Sequence, residues 1–197
     1  MSPKTEIRRD DIMSMDDYAP VRAERRKRMT EVKRDRRLAL GPDATFYFEN
    51  YETMWHQVHE MLYIERGGEE QIADELNAYN PLIPKGRELV ATLMFEIDDA
   101  ERRERFLAGL GGVEETVTLS LGDDVIRAVP EADVDRTSAD GKASSVQFLH
   151  FPFTDAQIAR FRDEAVKAVL AIEHEKYGHM TVLPPQTRRA LAGDFSE

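Results

Sequence analysis

The residues best placed to do chemistry lie in one stretch, Phe48 to Glu65. It holds the single tryptophan, Trp55, and two of the five histidines, His56 and His59. At about 100° per residue, a helix over this stretch has two faces. Tyr51, Met54, Trp55, Val58, Met61 and Leu62 form an apolar stripe. Glu49, Glu52, His56, His59, Glu60 and Tyr63 gather on the opposite side, and no Lys or Arg lies between Glu49 and Glu65. An ordinary solvated helix face mixes charge signs, often as i,i+4 pairs. Carboxylates and imidazoles at i, i+3, i+4 and i+7 can converge on one ion, and that donor set suits iron, zinc or manganese. The candidate ligands are Glu52, His56, His59 and Glu60. Their spacing matches neither the Glu-x-x-His of carboxylate-bridged di-metal bundles nor the His-Glu-x-x-His of zinc proteases. Two other readings of the face stay open. It is a plain hydrophilic surface with histidines bonded into a neighbouring layer, or it docks a partner.

A second cluster is His174-Glu175-Lys176-Tyr177-Gly178-His179, placed by the sequence pattern in a loop after a long helix. Loop residues on a rigid scaffold are good site material. His174 and His179 could complete a shell begun by His56 or His59. The plain alternative is a histidine at a helix C-terminus and another on the surface. His150 alternates with Leu149 and Phe151 along a strand pattern and reads as structural. No Gly-rich phosphate loop stands in a strand–turn–helix setting, and no Gly-x-Ser-x-Gly elbow is present. Nucleotide-dependent chemistry and serine hydrolysis are therefore disfavoured.

These clusters need elements to position them. Thr45–Phe48 reads as a short aromatic strand, and Asn50 as the N-cap of the central helix. Gly67-Gly68 stops that helix, and a second runs from Glu69 to Ala78. Leu89–Ile97 is a nearly continuous apolar run, which predicts a strand buried on both faces. A charged helix over Asp99–Ala108 follows. Thr116–Leu121 and Val125–Val129 form a hairpin about Gly122-Asp123, and Ser145–Phe153 is a further strand. Residues 133–143 read as a polar loop. Thr154 with Gln157 makes a capping box opening a helix to about Glu173, with Ile158, Phe161, Ala165, Ala168, Val169 and Ile172 inward. A strand Met180–Leu183 and a short helix after Pro184-Pro185 close the chain. The sum is α+β: a mostly antiparallel sheet of about five strands with helices packed on one face.

The 197 residues fit one domain, 21–197, preceded by a flexible arm, 1–20. The absence of cysteine excludes disulfides, thiolate metal sites and a cysteine nucleophile. No apolar run reaches the roughly 18 residues of a membrane span, and the charged start lacks a signal-peptide core. A cytoplasmic protein is expected. Pro20 is expected at the first turn of a basic helical segment. Val21 to Arg37 holds nine basic and three acidic residues, +6 within a chain of −11, which leaves −17 for the remainder. Nucleic-acid contact is the weaker reading, because acids are interleaved and aromatics absent. Docking on the acidic body or on a second subunit, making a homo-oligomer, is preferred.

Phe48-Glu49-Asn50 through Glu65, Ala78-Tyr79-Asn80-Pro81-Leu82-Ile83-Pro84 and Glu88–Leu93 resemble a bacterial family, domain of unknown function 3501. The similarity continues through Ser145–Phe151 to Tyr177-Gly178-His179-Met180, and covers the chain from about Tyr18. Genes of that family often lie near those of rubrerythrin-like and iron–sulfur oxidoreductase proteins. The resemblance thus implies a link to iron or peroxide metabolism and a rubrerythrin-like or redox partner. Many relatives carry other residues at Trp55, His56 and His59, which implies a subgroup site and a more general role for Glu49 and Glu60. The reading carried forward is a protein binding a transition metal or haem-type cofactor through His56, His59, Glu60 and Glu52, with His174 or His179 approaching. The alternative is a non-enzymatic accessory protein docking a rubrerythrin-like or electron-transfer partner on the acidic helix face.

Overall fold

A computed structural model describes residues 3–131 and 141–196; the expected polar loop 133–143 therefore lies largely outside the described residues. Helix α1 spans Met15–Arg34, strands β1 and β2 Arg37–Leu40 and Ala44–Glu49, and helices α2 and α3 Tyr51–Glu65 and Gly68–Tyr79. Strand β3 (Glu88–Phe95) and helix α4 (Ala100–Ala108) follow, then β4 (Val117–Leu121), β5 (Asp124–Arg127), β6 (Val129–Pro130) and β7 (Val146–Pro152). Helix α5 (Asp155–Arg162), β8 (Ala168–His174), β9 (Tyr177–Val182) and α6 (Pro185–Ala192) complete the chain.

The fold is α+β, but the strands form two antiparallel sheets rather than one. Five strands run β1-β2-β3-β7-β6 and four run β5-β4-β8-β9. The chain crosses between the sheets at Ala128, so the expected strand Val125–Val129 is divided. Leu89, Ala91, Leu93 and Phe95 of β3 join Leu119, Leu121, Leu170 and Ile172 of the second sheet in the main core. Val90 and Phe148, from the other face of the first sheet, pack with Met54, Val58 and Leu62 of α2. The apolar run of β3 is thus buried on both sides, because a sheet lies over one face and a helix layer over the other.

Three expectations are corrected. The helix read to about Glu173 ends at Arg162, and Ala168–His174 is a strand pairing β4 and β9. The run Ala168-Val169-Leu170-Ala171-Ile172 fits either period, and a short apolar run does not discriminate between them. Tertiary partners decide it. Buried Arg188 donates to the carbonyls of Arg160, Phe161, Asp163 and Val166, closing α5 there. Second, His174–Glu175–Lys176–Tyr177 is a tight β-hairpin rather than a loop, and His179 lies within β9. Third, the amino-terminal segment is packed. Ile7, Ile12 and Tyr18 are buried against α2 and its neighbours. Ser14 caps α1 by accepting from the Asp17 N–H, which starts the helix at Met15 and leaves Pro20 in its second turn.

Candidate functional site

Helix α2 is set at both ends by its own residues. At its start Asn50 Oδ1 accepts from the Thr53 N–H, and Thr53 Oγ1 accepts from the Asn50 N–H, each at 2.9 Å. Glu49 points inward, accepting from the hydroxyls of Thr53 (2.6 Å) and Thr92 (2.9 Å). At its end Arg66 adopts φ 56°, a left-handed conformation usually left to glycine, and donates its N–H to the Leu62 carbonyl.

The polar face of α2 meets α1 rather than solvent. Arg22 clasps Glu60 through two bonds of 2.9 and 2.8 Å, Arg28 reaches Glu52 at 2.5 Å, and the Arg25 guanidinium lies 5.1 Å from the Trp55 ring centre. The missing cations of α2 are therefore supplied by the basic segment, which docks on its own chain. Tyr18, fully buried, donates to Glu60 at 2.9 Å and lies between Trp55, His59 and Tyr63. Burial, together with the Glu60 carboxylate, pushes the Tyr18 phenol well above its ordinary range. The hydrogen bonds from Arg22, against some burial, hold Glu60 below the ordinary carboxylate range.

His59 is fully committed. Its Nδ1 lies 2.7 Å from the Trp55 carbonyl and its Nε2 accepts from the Met13 N–H at 3.0 Å. A carbonyl only accepts and an amide only donates, so the proton sits on Nδ1 and the ring is neutral. Burial lowers its pKa to about 4. The ring lies tilted against Trp55 with centres 3.7 Å apart, and Trp55 Nε1 donates to the Asp11 carbonyl. His56 is nearly buried, with Nδ1 3.4 Å from the Tyr18 hydroxyl. Burial lowers its pKa, and Lys33, Arg26 and Arg22 of α1 add to that against the pull of Glu60.

The structure thus gathers His56, His59 and Glu60 around Tyr18, with Glu52 beside them on the α1 interface. It does not bring His174 and His179 to them. Tyr177 belongs to the core on the other side of the five-stranded sheet, and the His179 ring sits 4.4 Å from the Tyr177 ring. His179 also covers Gly41, where an added Cβ would come within 2.7 Å of the imidazole, at a φ of 70°. His174 Nδ1 accepts from the Lys176 N–H at 3.2 Å. Among the described residues no three His, Asp or Glu side chains are arranged to hold a metal ion. A transition metal or haem finds a poor fit on α2: His59 has no free nitrogen, Glu60 is taken by Arg22 and Tyr18, and Nε2 of His56 remains.

Two features escaped the sequence. Tyr18 and Arg22 carry the centre of the α1–α2 contact, and only the spacing Tyr18, Arg22, Arg25, Met29 along one helix face hints at it. His150 is held between Glu88 (2.9 Å at Nδ1) and Glu131 (2.8 Å at Nε2), and these bonds raise its pKa, Glu88 foremost. Glu88 lies two residues from Val90, the cross-strand partner of His150, so strand register alone reveals the pair.

Beside the aromatic cluster runs a groove of about 610 Å³ between the amino-terminal segment, α1 and the α2–α3 corner. Met13, Met15, Ala19, Leu62, Tyr63 and Ile72 line it together with the charged Arg9, Asp16, Arg66 and Glu69. Arg9 and Glu69 pair with each other, whereas Arg66 and Asp16 make no ion pair among the described residues.

Comparison with known proteins gives a family and a fold. A family model described as "Protein of unknown function (DUF3501)" matches residues 6–195. No curated protein matches. A solved structure, the "novel protein of unknown function" from Burkholderia pseudomallei K96243, is 33% identical, with a TM-score of 0.89 over 96% of this chain and 99% of that one. On the match from residue 6 to residue 195, the chain belongs to the DUF3501 family.

Proposed function

We propose that the chain is a binding protein whose groove at the α1–α2–α3 corner takes a small apolar molecule with one anionic end. The observation that carries this reading is the groove itself. Its volume of about 610 Å³ and its methionine, leucine, isoleucine and tyrosine walls suit a drug-sized organic molecule. Arg66 is its uncompensated cation, fixed at the α2 terminus by a left-handed backbone. Asp16, the uncompensated anion, stands on the α1 rim and directs the charged end of a ligand toward Arg66. The imidazoles beside the groove act as structure in this reading: neutral His59 ties Met13 of the groove wall to Trp55 of α2.

The metal or haem reading keeps Nε2 of His56 as its donor on α2, and would need Glu60 released from Arg22 to gain a second. A link to iron or peroxide metabolism rests on the family resemblance. A rubrerythrin-like or electron-transfer partner would have to meet another surface, since α1 covers much of the acidic face of α2.

Calorimetric titration of the full chain with sodium octanoate and with 1-octanol tests the groove. Saturable binding of octanoate is expected, abolished by Ala19→Trp, which fills the groove from an exposed position. Arg66→Ala should weaken octanoate about 5-fold, the scale of an exposed ion pair, and leave octanol unchanged. No saturable binding of either probe, or binding indifferent to Ala19→Trp, overturns the proposal.

A further inference from the structure

The helix layer covers one face of the five-stranded sheet, and the four-stranded sheet covers the other. The other face of the four-stranded sheet turns away from the main core; Thr118 and Ala171 at its centre are buried within the chain, and its exposed apolar residues stand on the two edge strands. Register defines what it presents. Val125, Ser120, Val169 and Val182 stand in one row across the four strands, and Arg127, Thr118, Ala171 and Met180 in the next. Met180 is 73% exposed, Val182 52% and Val125 51%, three of the five exposed large hydrophobic residues of the described chain. Isolated exposed apolar residues are ordinary, but Met180 and Val182 adjoin on β9 and, with Val125 at the opposite edge, mark a contact surface.

We infer that this face is where a second copy of the chain docks, sheet against sheet about a two-fold axis. Two flat sheet faces pack at about 10 Å with interdigitating side chains, as the two sheets already do within the chain. The charges favour a second copy over another partner. The face carries one cation, Arg127, and one carboxylate, Glu173, and neither has an oppositely charged partner among the described residues. A two-fold contact pairs residue i with j and j with i, so Arg127 of each copy meets the partner's Glu173. The apolar rows between them then close on themselves. Four strands at about 4.8 Å spacing and about six residues at about 3.3 Å give a patch of roughly 400 Å², about half of the roughly 800 Å² per partner of a standard interface, so the dimer is concentration-dependent.

Sedimentation velocity of the full chain from 5 to 200 μM reads this directly. Wild type should pass from monomer to dimer over that range. Met180→Lys/Val182→Lys, at exposed positions, should remain monomeric with an unchanged circular dichroism spectrum. Arg127→Glu and Glu173→Arg should each weaken the dimer at least 5-fold, and the double swap should restore it. Wild type still monomeric at 200 μM overturns the inference, as does a dimer indifferent to the Met180/Val182 variant. Failure of the double swap to restore association overturns the two-fold pairing.

Discussion

Replacing Glu60 with alanine should loosen α1 from the body of the protein. Glu60 accepts two hydrogen bonds from Arg22 and one from Tyr18, and its side chain is only 15% exposed. The Arg22 side chain is 26% exposed and can recover hydration, so losing it costs about 1 kcal/mol. The Tyr18 hydroxyl is different, because it is fully buried and its other neighbour, His56 Nδ1, lies at 3.4 Å. Leaving it without a good acceptor costs about 1–3 kcal/mol. The sum for Glu60→Ala is about 2–4 kcal/mol, or a fall in Tm of about 4–16 °C at 2–4 °C per kcal/mol. Urea unfolding measures it, and amide exchange locates it: protection should fall along residues 15–34 before the sheets. Tyr18→Phe removes the stranded hydroxyl, so Glu60→Ala should cost about 1–2 kcal/mol less in that background. The pH dependence has a defined sign. Glu60 has its folded pKa lowered, so its stabilisation is present above the ordinary glutamate range and lost as pH falls through the folded value. The gap between wild type and Glu60→Ala should therefore close in acid. A Glu60→Ala protein within 0.5 kcal/mol of wild type at pH 7 (about the spread of a neutral surface substitution) would refute the account of the α1–α2 contact.

The carboxylate–histidine–carboxylate chain gives the opposite sign. Glu88 and Glu131 raise the folded pKa of His150, so its contribution is complete below the ordinary histidine range and disappears as pH rises through the raised value. His150→Gln should cost about 1–2 kcal/mol at pH 5.5 and clearly less at pH 9 in urea unfolding; a pH-independent cost would show that the ring is not charged there. Arg36, buried with Asp194, also donates to the carbonyls of Phe48, Glu49 and Ala190, pinning the carboxy-terminal helix to the strand before α2. Arg36→Met strands a carboxylate whose pKa burial already pushes up to about 6, and should cost about 3–5 kcal/mol, with part recovered in Arg36→Met/Asp194→Asn. A loss below about 1 kcal/mol in the single variant would mean that water reaches the pair.

Much of the local structure is legible in the residues. Asn50 announces the start of α2 and Thr154 with Gln157 the start of α5, and the structure adds Asp99, read as the first residue of α4, as its cap. Each is a bond between residues three apart, so no distant partner is needed. The β3 run and the Gly122-Asp123 hairpin follow equally from short-range pattern. The error at β8 arises where the pattern fits two periods. There the strand is selected by β4 and β9 on either side, and by Arg188, which holds the Val166 carbonyl just before the strand.

The site divides in the same way. Residue types and helical spacing by themselves determined that Glu52, His56, His59 and Glu60 share one face of α2, and that this face lacks cations. They determined too that a basic segment stands elsewhere in the chain to answer it. Only the tertiary structure decided that the answer comes from within the chain, through Arg22 and Arg28. It also committed both nitrogens of His59 to backbone groups, and placed His174 and His179 across the sheet from His56. The physical reason is range. Periodicity sorts side chains to faces, but what a buried imidazole or carboxylate can do depends on which hydrogen-bond partner reaches it, and those partners lie tens of residues away.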